Sequence, residues 1–126
     1  MENNPKRIMI IEDEVMLLEA LVEDLSDMGY IVDACTDVDC AFEQIQEARP
    51  DLILTDLVMA KVDGFDFIRI LKENIHLKSI PVVVLSNLAE EGNVTRAKNL
   101  GAVDYWVKAE MSLADIVKGV QKLLGG

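Results

Sequence analysis

The chain has 126 residues, of which 51% are hydrophobic, and its formal net charge at pH 7 is −11. A chain of this size and apolar content forms one domain around a single core, which excludes a disordered protein, and no apolar run reaches the roughly 18 residues of a membrane span. The acidic charge argues against nucleic-acid contact by this domain, because phosphate binding needs a basic surface, whereas it fits a site for a cation or a basic protein partner.

Apolar runs recur along the chain and predict five strands. The predicted strands are RIMII (7–11), YIVDA (30–34), DLILT (51–55), IPVVVLS (80–86) and DYWVK (104–108). Three of them are near-continuous runs of isoleucine, leucine and valine, as expected of parallel strands that are covered on both faces.

Segments with helical periodicity lie between these runs and after the last one. The predicted inward residues are Val15, Leu18, Leu21, Val22 and Leu25 before Gly29; Ala41, Phe42, Ile45 and Ala48 before Pro50; Phe65, Ile68, Ile70 and Leu71; Val94, Ala97 and Leu100 before Gly101; and, after a Ser112 cap, Leu113, Ile116, Val117, Val120, Leu123 and Leu124. Glycine and proline end helices, and serine begins them.

Strands that alternate with helices predict an α/β domain with a doubly wound parallel sheet and helices on both faces. Right-handed crossovers leave few topologies, of which the flavodoxin-like order 2-1-3-4-5 is the one we expect. We expect a single domain over residues 1–126, with residues 1–6 as a tail and residues 125–126 as a possible start of a linker. The start MENNPKR lacks the apolar core of a signal peptide, so the expected location is the cytoplasm, away from membranes.

The two cysteines and the single histidine predict no metal or catalytic site. Cys35 and Cys40 match neither a disulfide framework nor a zinc pattern, and both are expected to be buried thiols. His76 is expected on the surface of a helix, and a lone histidine makes a Ser-His-Asp triad hard to build.

Polar residues follow four of the apolar runs. Glu12 and Asp13 come after the first, Asp56 after the third, Ser86 ends the fourth and Lys108 ends the fifth. Ligands in such folds bind beyond the carboxyl ends of the strands, and these four strands are neighbours in the expected order. We therefore expect the five side chains to converge on one rim.

Each of these residues also has an ordinary structural interpretation. Asp13 fits a helix N-cap and Glu12 a solvated turn residue, while Asp56 fits a turn. Ser86 fits a cap of the fourth helix, and Lys108 a surface cation. Taken together they are harder to explain in this way, because three carboxylates on one rim repel each other unless a cation lies among them.

The chemistry of the set favours magnesium and phosphoryl transfer. Oxygen ligands with access to water suit Mg²⁺, and a hydroxyl and a lysine supply donors for phosphoryl oxygens. No glycine-rich cradle is present, which argues against a bound nucleotide as the source of the phosphate.

The motifs IIEDE, LILTDLVM…DG, VVVLSN and GAVDYWVK resemble those of response-regulator receiver domains of two-component signalling, close to the single-domain chemotaxis type. The resemblance extends from about Arg7 to Leu124. It implies a phosphoacceptor that takes its phosphoryl group from a sensor histidine kinase or a phosphotransfer protein and signals to a downstream protein or a fused effector domain.

The resemblance also implies a role for each site residue. Asp56 would be the phosphoacceptor, and Asp13 and Asp56 would bind Mg²⁺ directly. Glu12 would bind it through water, and Val58 through its backbone carbonyl. The remaining roles, which concern the phosphoryl group and the switch, would belong to Lys108, Ser86 and Tyr105. Lys108 would pair first with the carboxylate and then with a phosphoryl oxygen, while the Ser86 hydroxyl and the Tyr105 ring would switch between two positions.

Three positions depart from the family pattern. Ala109 follows the lysine where proline, often after a cis bond, is usual; a cis bond here would cost roughly 2.5–4 kcal/mol, so we predict a trans bond and a shifted loop. Ala60 replaces another common proline, and Asn87 follows the switch serine where a small residue is usual.

Two other functions remain open from the sequence. One is a receiver-shaped interaction module that works without phosphorylation, which Asn87 and Ala109 would permit. The other is a Mg²⁺-dependent phosphatase with an aspartyl-phosphate intermediate. Such phosphatases commonly carry a second aspartate two residues after the nucleophile, where this chain has Val58.

Overall fold

Parallel pairing of the apolar runs organises the chain. In the computed structural model, which describes residues 4–59 and 62–125, the strands form one sheet in the order β2-β1-β3-β4-β5, and every neighbouring pair is parallel. The strands are β1 (Arg7–Ile11), β2 (Ile31–Cys35), β3 (Leu52–Thr55), β4 (Val82–Ser86) and β5 (Asp104–Val107). The predicted fold class and strand order are confirmed.

The helices begin and end close to the predicted signals. They are α1 (Val15–Asp27), α2 (Val38–Glu47), α3 (Gly64–Glu73), α4 (Glu91–Leu100) and α5 (Leu113–Leu123). Ser112 caps α5 as predicted, in a reciprocal capping box with Asp115. Gly101 ends α4 with a φ of 118°, a left-handed conformation that favours glycine. A short 3-10 turn, Lys108–Glu110, was not predicted.

Two apolar layers cover the two faces of the sheet. Along β1, Met9 and Ile11 face the layer that contains α2, α3 and α4, whereas Ile8 and Ile10 face the layer that contains α1 and α5. This alternation follows from the two-residue period of a strand. Burial on both faces fixes the register of the central strands, and therefore the position at which each strand ends.

Three residues predicted to face inward are exposed. Val15, Ile70 and Leu123 have relative exposures of 53%, 41% and 40%. Helical periodicity identified the apolar stripe but not its edge, and each of these side chains lies at an end or a margin of its helix. In α3 the inward position belongs instead to Phe67, which is fully buried and packs edge-on against Phe42.

The cysteines do not remain thiols. Cys35 and Cys40 form a disulfide, with their Cα atoms 5.6 Å apart, which corrects the prediction of two buried thiols. Cys35 is the last residue of β2 and Cys40 lies in the first turn of α2, so the reversal of the chain brings them within disulfide range. His76 is exposed as predicted, but it lies in the turn after α3 rather than on a helix, because α3 ends at Glu73.

Helix α5 packs against β5 at a glycine. A Cβ atom on Gly119 would lie 2.6–2.7 Å from ring carbons of Trp106, so the helix reaches this position only without a side chain. The indole Nε1 donates to Asp104 Oδ2 at 2.9 Å, which fixes the ring. Among the described residues, none of the helices has the combined length and apolarity to cross a bilayer.

Candidate functional site

Four of the predicted site residues form one cluster at the carboxyl edge of the sheet. Carboxylate oxygens of Glu12, Asp13 and Asp56 lie within 4.8 Å of one another. Lys108 Nζ lies 2.9 Å from Asp56 Oδ2 and 2.7 Å from Glu12 Oε1. The ends of β1, β3 and β5 thus bring these groups together, as expected from the strand order.

Glu12 is a buried acid and not a solvated turn residue, so that interpretation was wrong. It is 1% exposed, and its Oε2 accepts a hydrogen bond from the Glu14 amide at 3.0 Å. Burial raises the pKa of Glu12, because the charged form loses its hydration, and the ion pair with Lys108 and the hydrogen bond from the Glu14 amide lower it only in part.

Lys108 is the cation of the cluster, with only 11% of its side chain exposed. Burial by itself would lower its pKa, but the close carboxylates of Glu12 and Asp56 outweigh burial and raise it. Glu14, whose Oε2 lies 3.8 Å from Nζ, is a further acid on the exposed side. Lys108 is therefore held in its charged form.

The two carboxylate oxygens of Asp56 have different hydrogen-bond partners. Oδ1 accepts hydrogen bonds from the amides of Leu57 at 2.7 Å and Val58 at 3.3 Å, which is the turn-stabilising role that the sequence permitted. Oδ2 receives Lys108. The carboxylate is only 6% exposed and is oriented from both sides, so it is fixed in direction.

Asp13 does not cap α1. The N-cap residue is Glu14, which makes no side-chain capping bond, so the structural interpretation of Asp13 was wrong. Asp13 is exposed beside two buried carboxylates. In the described residues, Glu12 Oε1 is buried without a hydrogen bond of good geometry, although Lys108 Nζ is close. A cluster of three carboxylates, one of which has a buried oxygen without a hydrogen bond, fits a divalent cation.

Ser86 and Tyr105 lie beside the cluster and share a loop partner. Ser86 Oγ accepts from the Leu88 amide at 3.2 Å, and Tyr105 Oη donates to the Leu88 carbonyl. Ser86 does not cap α4, whose N-cap is Glu90. Both side chains are buried, and within the described chain no hydrogen bond joins Ser86 to Asp56. Burial raises the pKa of the Tyr105 phenol, because the charged phenolate would lose its hydration.

One contact at the rim was not assigned by sequence reasoning. Asn87 Oδ1 accepts a hydrogen bond from the Ala109 amide at 2.9 Å, although the sequence had marked each residue only as a separate departure. No peptide bond in the described residues is cis, which confirms the predicted trans bond before Ala109. Ala60 lies outside the described residues.

Comparison with known proteins identifies the family. Residues 8–121 match the family described as the response regulator receiver domain. The phosphate regulon transcriptional regulatory protein PhoB of Klebsiella pneumoniae is 36% identical over 82% of this chain and 45% of its own length. The protein-glutamate methylesterase/protein-glutamine glutaminase of Methylobacillus flagellatus is 34% identical over 86% of this chain and 31% of its own length. The chain thus spans less than half the length of these relatives.

A solved structure agrees in both fold and extent. The Mn²⁺-bound form of the response regulator Rcp1 has a TM-score of 0.83 and 29% identity, covering 94% of this chain and 93% of that one. The likeness extends over nearly the whole of both chains.

Proposed function

Because the chain belongs to the response regulator receiver domain family, we propose that it accepts a phosphoryl group on Asp56 in two-component signalling. The observation that carries this proposal is that both carboxylate oxygens of Asp56 are held by hydrogen bonds. One oxygen is held by two backbone amides and the other by Lys108, beside two further carboxylates. A carboxylate fixed in this way presents its lone pairs in a set direction, which lowers the entropic cost of attack.

The donor would be a phosphohistidine on a sensor histidine kinase or a phosphotransfer protein. An Asp56 oxygen forms the new P–O bond while the P–N bond breaks, and the leaving imidazole keeps the bonding electrons and takes up a proton. The product is an acyl phosphate on Asp56. Lys108, held charged by its two acidic partners, is placed to donate to a phosphoryl oxygen as negative charge builds up there.

Magnesium is the ion that we propose for the acidic cluster. Asp13 and Asp56 would bind it directly, Glu12 through water and Val58 through its backbone carbonyl. The bound ion would neutralise charge on the incoming phosphoryl group. The chain's own contribution is the geometry: Glu12 and Asp56 are held by the ends of β1 and β3, and Asp13 faces the solvent from which an ion would enter.

Ser86 and Tyr105 are the proposed switch. The Ser86 hydroxyl, whose oxygen accepts from the Leu88 amide, would move to donate its proton to a phosphoryl oxygen, because a new dianion is a strong hydrogen-bond acceptor. The Leu88 carbonyl receives the Tyr105 hydroxyl, so a movement of this loop acts on the ring directly. The surface formed by α4, β5 and α5 would then change its binding to a downstream protein or a fused effector domain.

The proposal is tested by phosphorylation with a small acyl phosphate in the presence of Mg²⁺. We expect mass spectrometry of the intact protein to show one added phosphoryl group, and Asp56→Asn to abolish it. Asp51→Asn is the matched control: it lies at the opposite end of β3, where its carboxylate accepts the Arg7 amide at 2.8 Å, and labelling should persist. Equal labelling of the Asp56→Asn protein would refute the assignment.

Phosphate uptake, ester turnover and partner binding together separate the competing functions. A module that works without phosphorylation would take up no phosphate and would still bind its partner. A phosphatase would release phosphate from a simple ester over many turnovers, whereas the proposed receiver would retain one phosphoryl group for each chain before it slowly hydrolyses.

A further inference from the structure

A side-chain hydrogen bond links two loops at the rim of the site. The first loop runs from β4 to α4 and begins with Asn87; the second follows β5 and begins with the 3-10 turn that contains Lys108. Ser86 pairs with Val107 in the sheet, so the residues that follow, Asn87 and Lys108, leave their strands side by side. Asn87 Oδ1 then accepts the amide of Ala109 at 2.9 Å.

The geometry points to Asn87 as a positioning residue for Lys108, an inference that rests on the proposed role of Asp56. The amide that Asn87 holds belongs to the peptide bond directly after Lys108. Fixing that peptide fixes the backbone on the carboxyl side of Lys108, which directs its side chain back toward Asp56 and Glu12. The first amides of a helical turn have no partner within the turn, and Asn87 supplies the acceptor for this one.

The pairing also explains two departures from the family pattern together. Proline at position 109 would have no N–H to donate, and a small residue at position 87 would have no acceptor. In this chain Ala109 supplies the donor and Asn87 the acceptor, across 22 residues of sequence. A trans peptide bond before Ala109, fixed by the hydrogen bond to Asn87, thus replaces the constraint that a proline ring would place on this backbone.

The alternative is a surface hydrogen bond that only closes a loop, since both residues are exposed. The location of the Asn87–Ala109 hydrogen bond, between two parts of the site, favours a role in positioning Lys108. On one side Asn87 directly follows Ser86, whose hydroxyl holds the Leu88 amide, and on the other it holds the Lys108 peptide. A loop-closing bond would affect stability alone, whereas a positioning bond affects the rate of phosphorylation.

The test is a double-mutant cycle between Asn87→Ala and Ala109→Pro, read as the rate of Asp56 phosphorylation by a small acyl phosphate at saturating Mg²⁺. We expect Asn87→Ala to lower the maximal rate by about three- to tenfold, the scale of one net hydrogen bond, with the half-saturating donor concentration unchanged. In the Ala109→Pro protein the same substitution should have little further effect, since the donor is already gone. The cycle is needed because proline also disfavours the helical backbone of Lys108.

The matched control is Asn99→Ala, an exposed asparagine near the end of α4, which should leave the rate unchanged. Urea unfolding of each variant separates a loss of fold from a loss of position. A second readout does not need phosphoryl transfer: the ¹⁵N resonance of the Lys108 ammonium group should shift or broaden in Asn87→Ala and not in Asn99→Ala.

Two results would overturn the inference. One is an unchanged rate and an unchanged Lys108 resonance in Asn87→Ala, and the other is an equal rate loss with and without proline at position 109. If the unaltered protein takes up no phosphate at all, the proposed function fails instead, and the Lys108 resonance still decides whether Asn87 positions the lysine.

Discussion

Replacing Asp13 with asparagine should stabilise the metal-free protein while removing its response to metal. The substitution keeps the shape of the side chain and removes one of three crowded negative charges. It costs no helix cap, because Asp13 is not the N-cap of α1.

The magnitude follows from the separation of the carboxylates. The carboxylate oxygens lie within 4.8 Å of one another, and two unit charges at that limiting distance repel by about 0.9 kcal/mol in water and about 3.5 kcal/mol at an effective dielectric constant of about 20. Asp13 is exposed, so the lower value applies to each acidic neighbour, and the lost attraction to Lys108 offsets part of the gain. We expect Asp13→Asn to raise the free energy of unfolding by about 1 kcal/mol without metal.

Urea unfolding with and without Mg²⁺ is the assay. A ligand that binds only the folded state adds about 2.7 kcal/mol at a hundredfold excess over its dissociation constant. The unaltered protein should gain stability in this way and Asp13→Asn should not, so their order of stability reverses at high Mg²⁺. Glu19→Gln, which removes an exposed charge from α1, is the control and should keep the metal response.

Two results would refute this reasoning. An Asp13→Asn protein that is less stable than the original without metal would show that the three carboxylates do not repel at this separation. An undiminished response to Mg²⁺ would remove Asp13 from the proposed set of metal ligands.

Three further predictions concern packing, pH and oxidation state. Gly64→Ala should lower the free energy of unfolding by about 1–3 kcal/mol, because its Cβ would lie 2.5–2.8 Å from main-chain atoms of the β3–α3 loop. Gly92→Ala, which adds a Cβ in open space on α4, should instead raise the midpoint of urea unfolding. Equal effects of the two substitutions would contradict this. The folded-state pKa of Tyr105 is raised by burial, so its contribution to stability is complete below the usual pKa of about 10 and is lost as the pH rises through the folded value. Tyr105→Phe should remove that part of the alkaline loss in urea unfolding, and an identical alkaline profile would exclude the effect. Without reductant, denatured protein should show no free thiol from Cys35 and Cys40, and alkylation of both under those conditions would refute the disulfide.

Most of the site was predictable because strand ends are set by simple patterns. The apolar runs determine where each strand stops, and parallel strands that stop at one edge bring the next polar residues together. This reasoning correctly placed Glu12, Asp56 and Lys108, and it needed only the strand order in addition to the sequence.

The contacts that sequence reasoning missed are between side chains whose pairing no local pattern encodes. Asn87 and Ala109 are far apart in sequence, and each looked like an isolated departure until the rim placed them in contact. The disulfide depends on how sharply the chain turns between β2 and α2, which the spacing of Cys35 and Cys40 does not reveal. Ile70 was placed inward because periodicity gives the direction of a stripe and not its width.

The seating of α5 on Trp106 limits how that helix can move. A slide along its own axis would bring a Cβ atom from a neighbouring position against the indole, where only Gly119 leaves room. Piston-like travel of the helix is thereby blocked, while tilting about the glycine as a pivot, or travel together with β5, stays open. A conformational change that reaches the outer face of α5 therefore involves tilting of the helix or its displacement together with β5.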